Sequence, residues 1–362
     1  MSSTYFKNIK LTIFGESHQK YIGLVMDNLK AGIKLDLEFI NQEILRRKAG
    51  GNLSSPRKET DEFEIVSGFF NGYTTGAPLV FLIKNNDVDS SSYQKELPRP
   101  GHVDYAAYIK NNGFNDYRGS GHSSGRLTLP LTIAGAIAKQ ILKNKNVIIG
   151  SHLQKMQELE DDNFDYNNIE KQILDLEKQT LPMLNKQKKK EVLEKIEICK
   201  KNKDSIGGII ECVAINVLPG IGEPFFDSLE STISSLAFSI PAIKGIEFGL
   251  GFNFNNYYGS QVVDELRYEN NQVVIKNNYN GGINGGISNG NPIVFRCVVK
   301  PTASINKEVN SINLSTKENV NLKTKGRHDS AIVLRCSVII EAICALAILD
   351  LYTQKFGNDW YA

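Results

Sequence analysis

The sequence predicts an α+β fold, on three observations. Six short segments rich in β-branched or aromatic residues are bounded by Gly, Asn or Pro. Four amphipathic helical runs stand between groups of such segments instead of alternating with them, which favours α+β over a doubly wound sheet. The chain has 362 residues, 41% hydrophobic and 23% charged, enough to bury one large core or two ordinary ones. No repeat, Pro-rich linker or low-complexity block marks a boundary, so residues 1–362 are expected to form a single domain.

The expected strands are Phe63 to Phe69, Pro78 to Ile83, Gly208 to Val217, Gly245 to Phe252, Gln272 to Lys276 and Pro292 to Lys300. The expected helices run from about Leu37 to Lys48, Leu131 to Lys143, Ser228 to Ile240 and Cys336 to Tyr352. Asp227 followed by Glu230 resembles a capping box for the third helix. From about Leu153 to Asp204 the chain turns rich in Lys, Glu, Gln and Asn with apolar residues at helical spacing, which reads as a peripheral helical insertion. Its lysine run, Lys186 to Lys190, reads as a solvated helix face.

A net charge of +2 asks for no nucleic-acid or anionic-membrane partner. No stretch reads as a membrane span and the start MSSTYFKNIK has no signal-peptide core, so a cytoplasmic protein is expected. The five cysteines, Cys199, Cys212, Cys297, Cys336 and Cys344, show no C-x-x-C spacing and read as reduced, partly buried thiols, with no metal site. The 42 basic residues divide into 32 Lys and 10 Arg. Seven of the arginines (Arg46, Arg47, Arg57, Arg99, Arg118, Arg126, Arg327) lie in segments dense in Gly, Ser, Pro or His, as do His18, His102, His122 and His328. A planar guanidinium fork suits phosphate or carboxylate, so these groups look reserved for an anion site.

Six segments carry candidate chemistry. Gly15-Glu16-Ser17-His18 follows an apolar run and puts a group that titrates near neutral pH on a turn. Arg46 to Thr60 joins consecutive arginines at a helix end to a Gly/Ser loop able to wrap an oxyanion; a cationic helix C-terminus with a flexible loop explains it as well. Arg99-Pro-Gly-His102-Val-Asp104-Tyr105 sets a histidine two residues from a carboxylate that can orient it. Tyr117 to Thr128 holds three glycines, three serines and a threonine beside Arg126, ahead of an apolar helix whose N-terminal dipole favours the same anion. It is neither a P-loop nor a dinucleotide fingerprint. Gly281 to Gly290 pairs its glycines so that backbone can lie against a planar ring, ahead of Lys300-Pro301-Thr302-Ala303-Ser304; a wide hairpin loop accounts for the glycines equally. Lys325 to Ser330 joins Arg327 to Asp329, a possible base or a helix cap.

In this order, the six segments resemble the chorismate synthase family over nearly the whole chain, as do Asp204 to Phe225 and Ser239 to Gly245. The resemblance implies a β-α-β sandwich with a helical layer between antiparallel sheets, assembled as a homotetramer. It implies conversion of 5-enolpyruvylshikimate 3-phosphate to chorismate and phosphate by an anti-1,4-elimination that needs reduced FMN. It implies that His18 protonates the leaving phosphate, that His102 maintains the flavin's protonation state and that Asp329 relays the substrate proton, with Ser17 and Ser124 holding the network. Arg47, Arg99, Arg126 and Arg327 would bind substrate. FMN contacts would come from His122, Ser123, Ser124, Ala242, Gly285, Lys300, Pro301, Thr302, Ala303, Ser304 and Arg327.

Four positions depart from the family pattern. Gln19 and Asn28 stand where glycine is usual, and Leu53 and His122 where arginine is usual. Arg57 or Lys58 is the expected replacement for the cation lost at Leu53. The alternative to an enzyme is a phosphometabolite-binding or FMN-binding protein that keeps the fold without turnover; the intact trio His18, His102 and Asp329 argues against it.

Overall fold

Two five-stranded antiparallel sheets enclose a layer of helices in the computed structural model, which describes residues 3–48, 60–87, 89–91, 93–324 and 329–361. The first sheet runs in the order Thr4–Phe6, Lys10–Gly15, Tyr21–Asp27, Leu79–Lys84, Phe63–Ser67. Alternation decides its inner face: Ile22, Leu24 and Met26 are buried with Leu79, Phe81 and Ile83, the period of two expected of a strand. The second sheet runs Ile243–Phe248, Ile293–Val299, Gly208–Ile215, Ile148–Met156, Leu159–Glu160. Its central strands are buried along most of their length because both faces are covered.

The helices are α1 (Leu37–Arg47), α2 (Asp104–Lys110), α3 (Thr128–Lys143), α4 (Ile169–Glu177), α5 (Lys186–Lys201), α6 (Leu229–Ala237) and α7 (Cys336–Phe356). Of these, α1, α3, α6 and α7 pack together as the middle layer. Helix α7 is the axis: 18 of its 21 residues are buried, and a helix apolar all round belongs inside. Contrary to the expectation that no stretch reads as a membrane span, 332–356, which includes the preceding turn, is long and apolar enough to cross one by length and composition; its burial among the other layers makes it a core helix. It meets α3 closely only because position 135 is glycine, since a Cβ there would fall 2.1 Å from Cβ of Ala342.

A charged knot ties this layer. Glu341 on α7 is fully buried and accepts from Arg46 through both oxygens at 2.8 Å, from Lys139 of α3 at 2.5 Å and from Ser151 of the second sheet at 2.8 Å. Glu43 accepts from Arg46 at 2.6 Å and from Lys139 at 2.7 Å, so each charge has two partners. Burial pushes the Glu341 carboxyl up, but Arg46 and Lys139 overrule it and hold it at about 2. A second buried carboxylate of α7, Asp350, accepts from the backbone N–H of Ile9 at 2.7 Å and docks the first sheet.

Several sequence expectations shift. The insertion does not begin at Leu153, because Leu153 to Met156 belong to a strand paired with Gly208–Ile215. The mixed run IIGSHLQKM hides that strand, since its polar Ser151 and His152 face the buried Glu341 and Asp161. Helix α4 covers the outer face of the second sheet, where Phe164, Ile169, Ile173 and Leu176 pack on Val213, Ile215 and Val294. Asp227 is not the cap of α6: Ser228 is, accepting from Ser231 N at 3.0 Å, while Asp227 pairs with Lys7. The strand expected to Phe252 ends at Phe248 and gives way to a short turn at Gly251–Asn256. The apolar run ahead of the Gly15 turn is a strand, Lys10–Gly15, whereas the strand at Tyr21–Asp27 and the hairpin Glu308–Asn313/Glu318–Lys323 were not expected.

Glu341→Ala leaves Arg46 and Lys139 to share Glu43, one positive charge in excess in the core, and should lower the unfolding free energy in urea by about 3–5 kcal/mol at neutral pH. The folded carboxyl lies below its unfolded value of 4.5, so this stabilisation is present above pH 4.5 and fades as pH falls toward about 2. The gap between wild type and Glu341→Ala should therefore narrow across that window.

Candidate active site

The knot leaves one neighbour pointing elsewhere. Arg46 is taken by Glu341, whereas Arg47, the last residue of α1, turns into a cavity of about 1030 Å³ bounded by the first sheet and the N-terminal ends of α3 and α7. Arg47 donates from Nε to Thr128 Oγ1 at 3.0 Å and from Nη2 to the carbonyl of Gly125 at 2.9 Å. Beside it Arg126 is ion-paired with buried Asp61 and donates from Nε to Asn85 Oδ1 at 3.0 Å, and Lys48 lies 3.4 Å from Asp61. Burial and the neighbouring Arg126 and Arg335 push the Arg47 guanidinium down from its usual range, against the pull of Asp61 and Asp329. A guanidinium still keeps its proton at neutral pH, so this crowding is an unfavourable placement that a bound anion relieves.

The floor is the Gly/Ser loop. Gly119, Ser120 and Gly121 take φ of 55°, 73° and 54°, a left-handed run that turns the chain sharply under the cavity. Glycine is required at 119 because a Cβ would fall 2.4 Å from the His18 ring. Ser124 then accepts from Arg126 N at 3.3 Å and starts the turn that leads into α3, with Ser123 and Ser124 both on the cavity wall. His18 is buried directly behind Gly119, its Nδ1 2.8 Å from Ser90 Oγ and its edge against the Tyr93 ring. Ser17 sits beside it and donates from its backbone N–H to Gly121 O at 3.0 Å. His122 bridges the loop to the first sheet, 2.7 Å from both Ser3 Oγ and Gly15 O.

His102 is braced by its own turn. Its Nδ1 lies 2.9 Å from Asp104 Oδ1, and Arg99 grips Asp104 in a fork at 2.7 and 2.8 Å. Burial pushes the Asp104 carboxyl up, but hydrogen bonds from Arg99 and His102 hold it well below the usual carboxylate range. Arg99 also reaches Ser304 at 3.3 Å and stacks over Tyr93, so it braces His102 as well as lining the cavity.

The far wall is built from Ala242 and 300–304. Lys300 donates from Nζ to Gly101 O at 2.6 Å and from its backbone N–H to Ala242 O at 2.9 Å. Thr302 donates to the carbonyl of Asp329 at 2.8 Å, and Asp329 Oδ2 accepts from Arg335 Nε at 3.0 Å. Pro301 and Ala303 complete this wall, and Ser304 is buried in it. Asp329 caps no helix; a turn at Ile332–Arg335 separates it from α7.

Most of the expected site residues thus meet in one cavity, with Ser17 and His18 behind its floor. Gly285 does not line it: it sits at the tip of the hairpin Ile283–Asn284/Ile287–Ser288 with open space around it. Arg327 and the Leu53, Arg57 and Lys58 positions lie outside the described residues. Sequence reasoning missed Lys48, Asp61, Ser90, Tyr93, Ser120 and Arg335, which the cavity or its histidines use. Ser120, one of the loop's three serines, and Lys48, within the Arg46 to Thr60 segment, carried a signal. Asn28 has φ 67°, a conformation asparagine tolerates in place of glycine, and Gln19 donates to Asp116 at 3.0 Å.

Comparison with known proteins converges. A family model described as chorismate synthase matches residues 9–353. A chorismate synthase of Pyrococcus abyssi is 41% identical over 344 residues, covering 94% of this chain and 95% of its own. One of Chitinophaga pinensis is 42% identical over 350 residues, covering 96% of each. A crystal structure of a chorismate synthase superposes with a TM-score of 0.76 at 28% identity, covering 98% of this chain and 94% of that one.

The crowding of Arg47 leads to a test. Arg47→Met should unfold at a urea concentration equal to or above that of wild type, because a crowded buried cation is removed. It should also weaken inorganic phosphate binding by about tenfold, the loss of one charge-assisted contact, read by calorimetric titration.

Proposed function

The chain belongs to the chorismate synthase family, and on that premise we propose how its residues carry out the family's reaction. It is a carbon–oxygen lyase of the shikimate pathway that converts 5-enolpyruvylshikimate 3-phosphate to chorismate and phosphate. The observation that carries the reading is the cavity itself, where Arg47, Lys48 and Arg126 stand together opposite Lys300, with His102 and Asp329 on its walls. A substrate with a phosphate and two carboxylates needs several cations in one enclosure, because self-repulsion and lost hydration would otherwise oppose binding.

A flavin is the family's cofactor, and the finer assignment to reduced FMN is ours. Its fit rests on the donor set and on wall shape. Ala242, Pro301 and Ala303 give the cavity an apolar lining, a Cβ added to Gly101 would stand 3.6 Å from Ala303, and Gly125 faces open space. Lys300, the Thr302 hydroxyl and the amides of Ser123 to Gly125, in the loop that leads into α3, suit a phosphate. Ordinary ligand pockets are roughly 300–1,000 Å³, so this cavity has room for a cofactor and a substrate side by side. Reduced FMN, when bound, supplies electron density to the substrate's allylic system as the carbon–oxygen bond breaks.

The chain's own residues do the rest. Arg47, Arg126 and Lys48 bind the substrate's anionic groups and hold the phosphate in line for departure. His18, kept in one orientation by Ser90 and Tyr93, gives its proton to a phosphate oxygen, which makes phosphate the better leaving group. His102 holds a proton beside the cofactor, oriented by Asp104. Asp329, steadied by Arg335, helps relay the proton that leaves C6 of the substrate. We further propose a homotetramer, supported by apolar side chains left in solvent at Phe225, Phe226, Phe252 and Tyr258. A cytoplasmic site of action fits five cysteines that are all unpaired thiols.

Anaerobic incubation with dithionite-reduced FMN and 5-enolpyruvylshikimate 3-phosphate should yield chorismate and phosphate in equal amounts; no turnover under these conditions would refute the reading. His18→Ala and Asp329→Asn should each lower kcat by about 10²- to 10⁴-fold while flavin binding persists.

A further inference from the structure

Ser120 occupies a conformation that its side chain opposes. With φ 73° it lies in the left-handed region between Gly119 and Gly121, where a residue with a Cβ is disfavoured and glycine is not. Such strain persists where the surroundings demand it, and it gathers at functional sites. Nothing in the turn itself requires a side chain at 120. The hydroxyl, however, faces the cavity and lies 3.3 Å from His102 Nε2 and 3.2 Å from Arg99 Nη2.

The hydrogen count around His102 decides what that hydroxyl does. Asp104 Oδ1 only accepts, so the ring nitrogen 2.9 Å from it, Nδ1, carries hydrogen. Arg99 only donates, and its Nη2 has two hydrogens: one goes to Asp104 Oδ1 and the other takes one lone pair of Ser120 Oγ, so its 3.3 Å approach to the hydrogen-bearing Nδ1 of His102 is a contact and not a hydrogen bond. When the ring is neutral, Nε2 accepts the Ser120 O–H. When the ring is charged, Nε2 donates to the second lone pair of Oγ, and the serine hydrogen turns into the cavity. Both protonation states keep every partner, so His102 can gain or lose a proton at Nε2 without rotating. The charged groups facing the ring are Arg99 and Asp104 on its own turn and Lys300, which reaches Gly101 O from the far wall. No element packed against it brings a further carboxylate among the described residues lining the cavity beyond Asp61 and Asp329.

We propose that Ser120 is a positioning residue for His102, its strained backbone retained because the hydroxyl fixes Nε2 of the ring toward the reacting ligands. This rests on the reading of His102 as a group that holds a proton in the reaction, and it adds a residue that this reading does not name. Glycine at 120 relieves the strain and removes the hydroxyl, alanine keeps the strain and removes the hydroxyl, and asparagine tolerates the backbone and restores a polar group.

The experiment compares Ser120→Gly, Ser120→Ala and Ser120→Asn with wild type in the anaerobic assay, together with thermal unfolding and the ¹⁵N signals of histidine-labelled protein. Ser120→Gly should raise Tm yet lower kcat by about tenfold with KM within about twofold, the effect of losing one well-placed hydrogen bond. Ser120→Ala should lose the same kcat without the gain in Tm, and Ser120→Asn should recover part of it. In the ligand-free protein the Nε2 signal of His102, identified by its loss in His102→Gln, should move in Ser120→Gly while Nδ1 stays. Wild-type kcat in Ser120→Gly, or loss in glycine but not alanine, would overturn the proposal. Should wild type itself show no turnover, the reading of function fails instead, and an unmoved Nε2 signal would then still overturn the role of Ser120.

Discussion

The buried knot of Glu341 with Arg46, Lys139 and Glu43 is the constraint on which the rest of the molecule depends. It joins α1, α3, α7 and, through Ser151, the second sheet, at the depth where a helical layer meets its covering strands. Unpaired charge there would be costly, so each helix has one rotation that satisfies the network. Because Arg46 must face Glu341, Arg47 is turned the other way, into the cavity. One dipeptide thus divides between holding the fold and binding the ligand.

The cavity follows the same logic with weaker restraint. Asp61 steadies Arg126 and Lys48, Asp104 steadies Arg99 and His102, and Asp329 steadies Arg335. Each carboxylate orients cations before a ligand arrives, while Arg47 has, among the described residues, only neutral acceptors at hydrogen-bond distance and is left crowded. A site prepared in this way meets incoming negative charge with donors already placed, which is the condition under which electrostatic stabilisation is most effective. Strain belongs to the same preparation: the left-handed run of Gly119 to Gly121 lowers the loop so that His18 can approach from behind.

Much of the fold was legible where one rule governed a segment. The helices at 37 and 229 follow 3.6-residue periodicity, those at 128 and 336 are long apolar runs buried nearly all round, and the strands at 79, 208 and 293 follow apolar runs between turn residues. The strand at Ile148–Met156 escaped because its inward residues include Ser151, committed to Glu341, and His152, committed to Asp161 and Glu211, so polarity did not mark solvent. The reading of Arg46 as an anion ligand failed for the same reason: sequence shows a charge but not the partner waiting for it. Asp61, Ser90 and Arg335 could not be found from spacing, since they serve residues distant in the chain. The Gly/Ser loop could, because glycine density reports backbone geometry directly.

A crystal structure with 5-enolpyruvylshikimate 3-phosphate and oxidised flavin tests the central claim most directly. The account predicts the substrate's anionic groups within hydrogen-bond distance of Arg47 and Arg126, its phosphate beside the His18 ring, and a knot at Glu341 unchanged from the ligand-free protein. A substrate seated instead in the smaller cleft between Lys95 and Lys323, with no anionic group at Arg47, would contradict it.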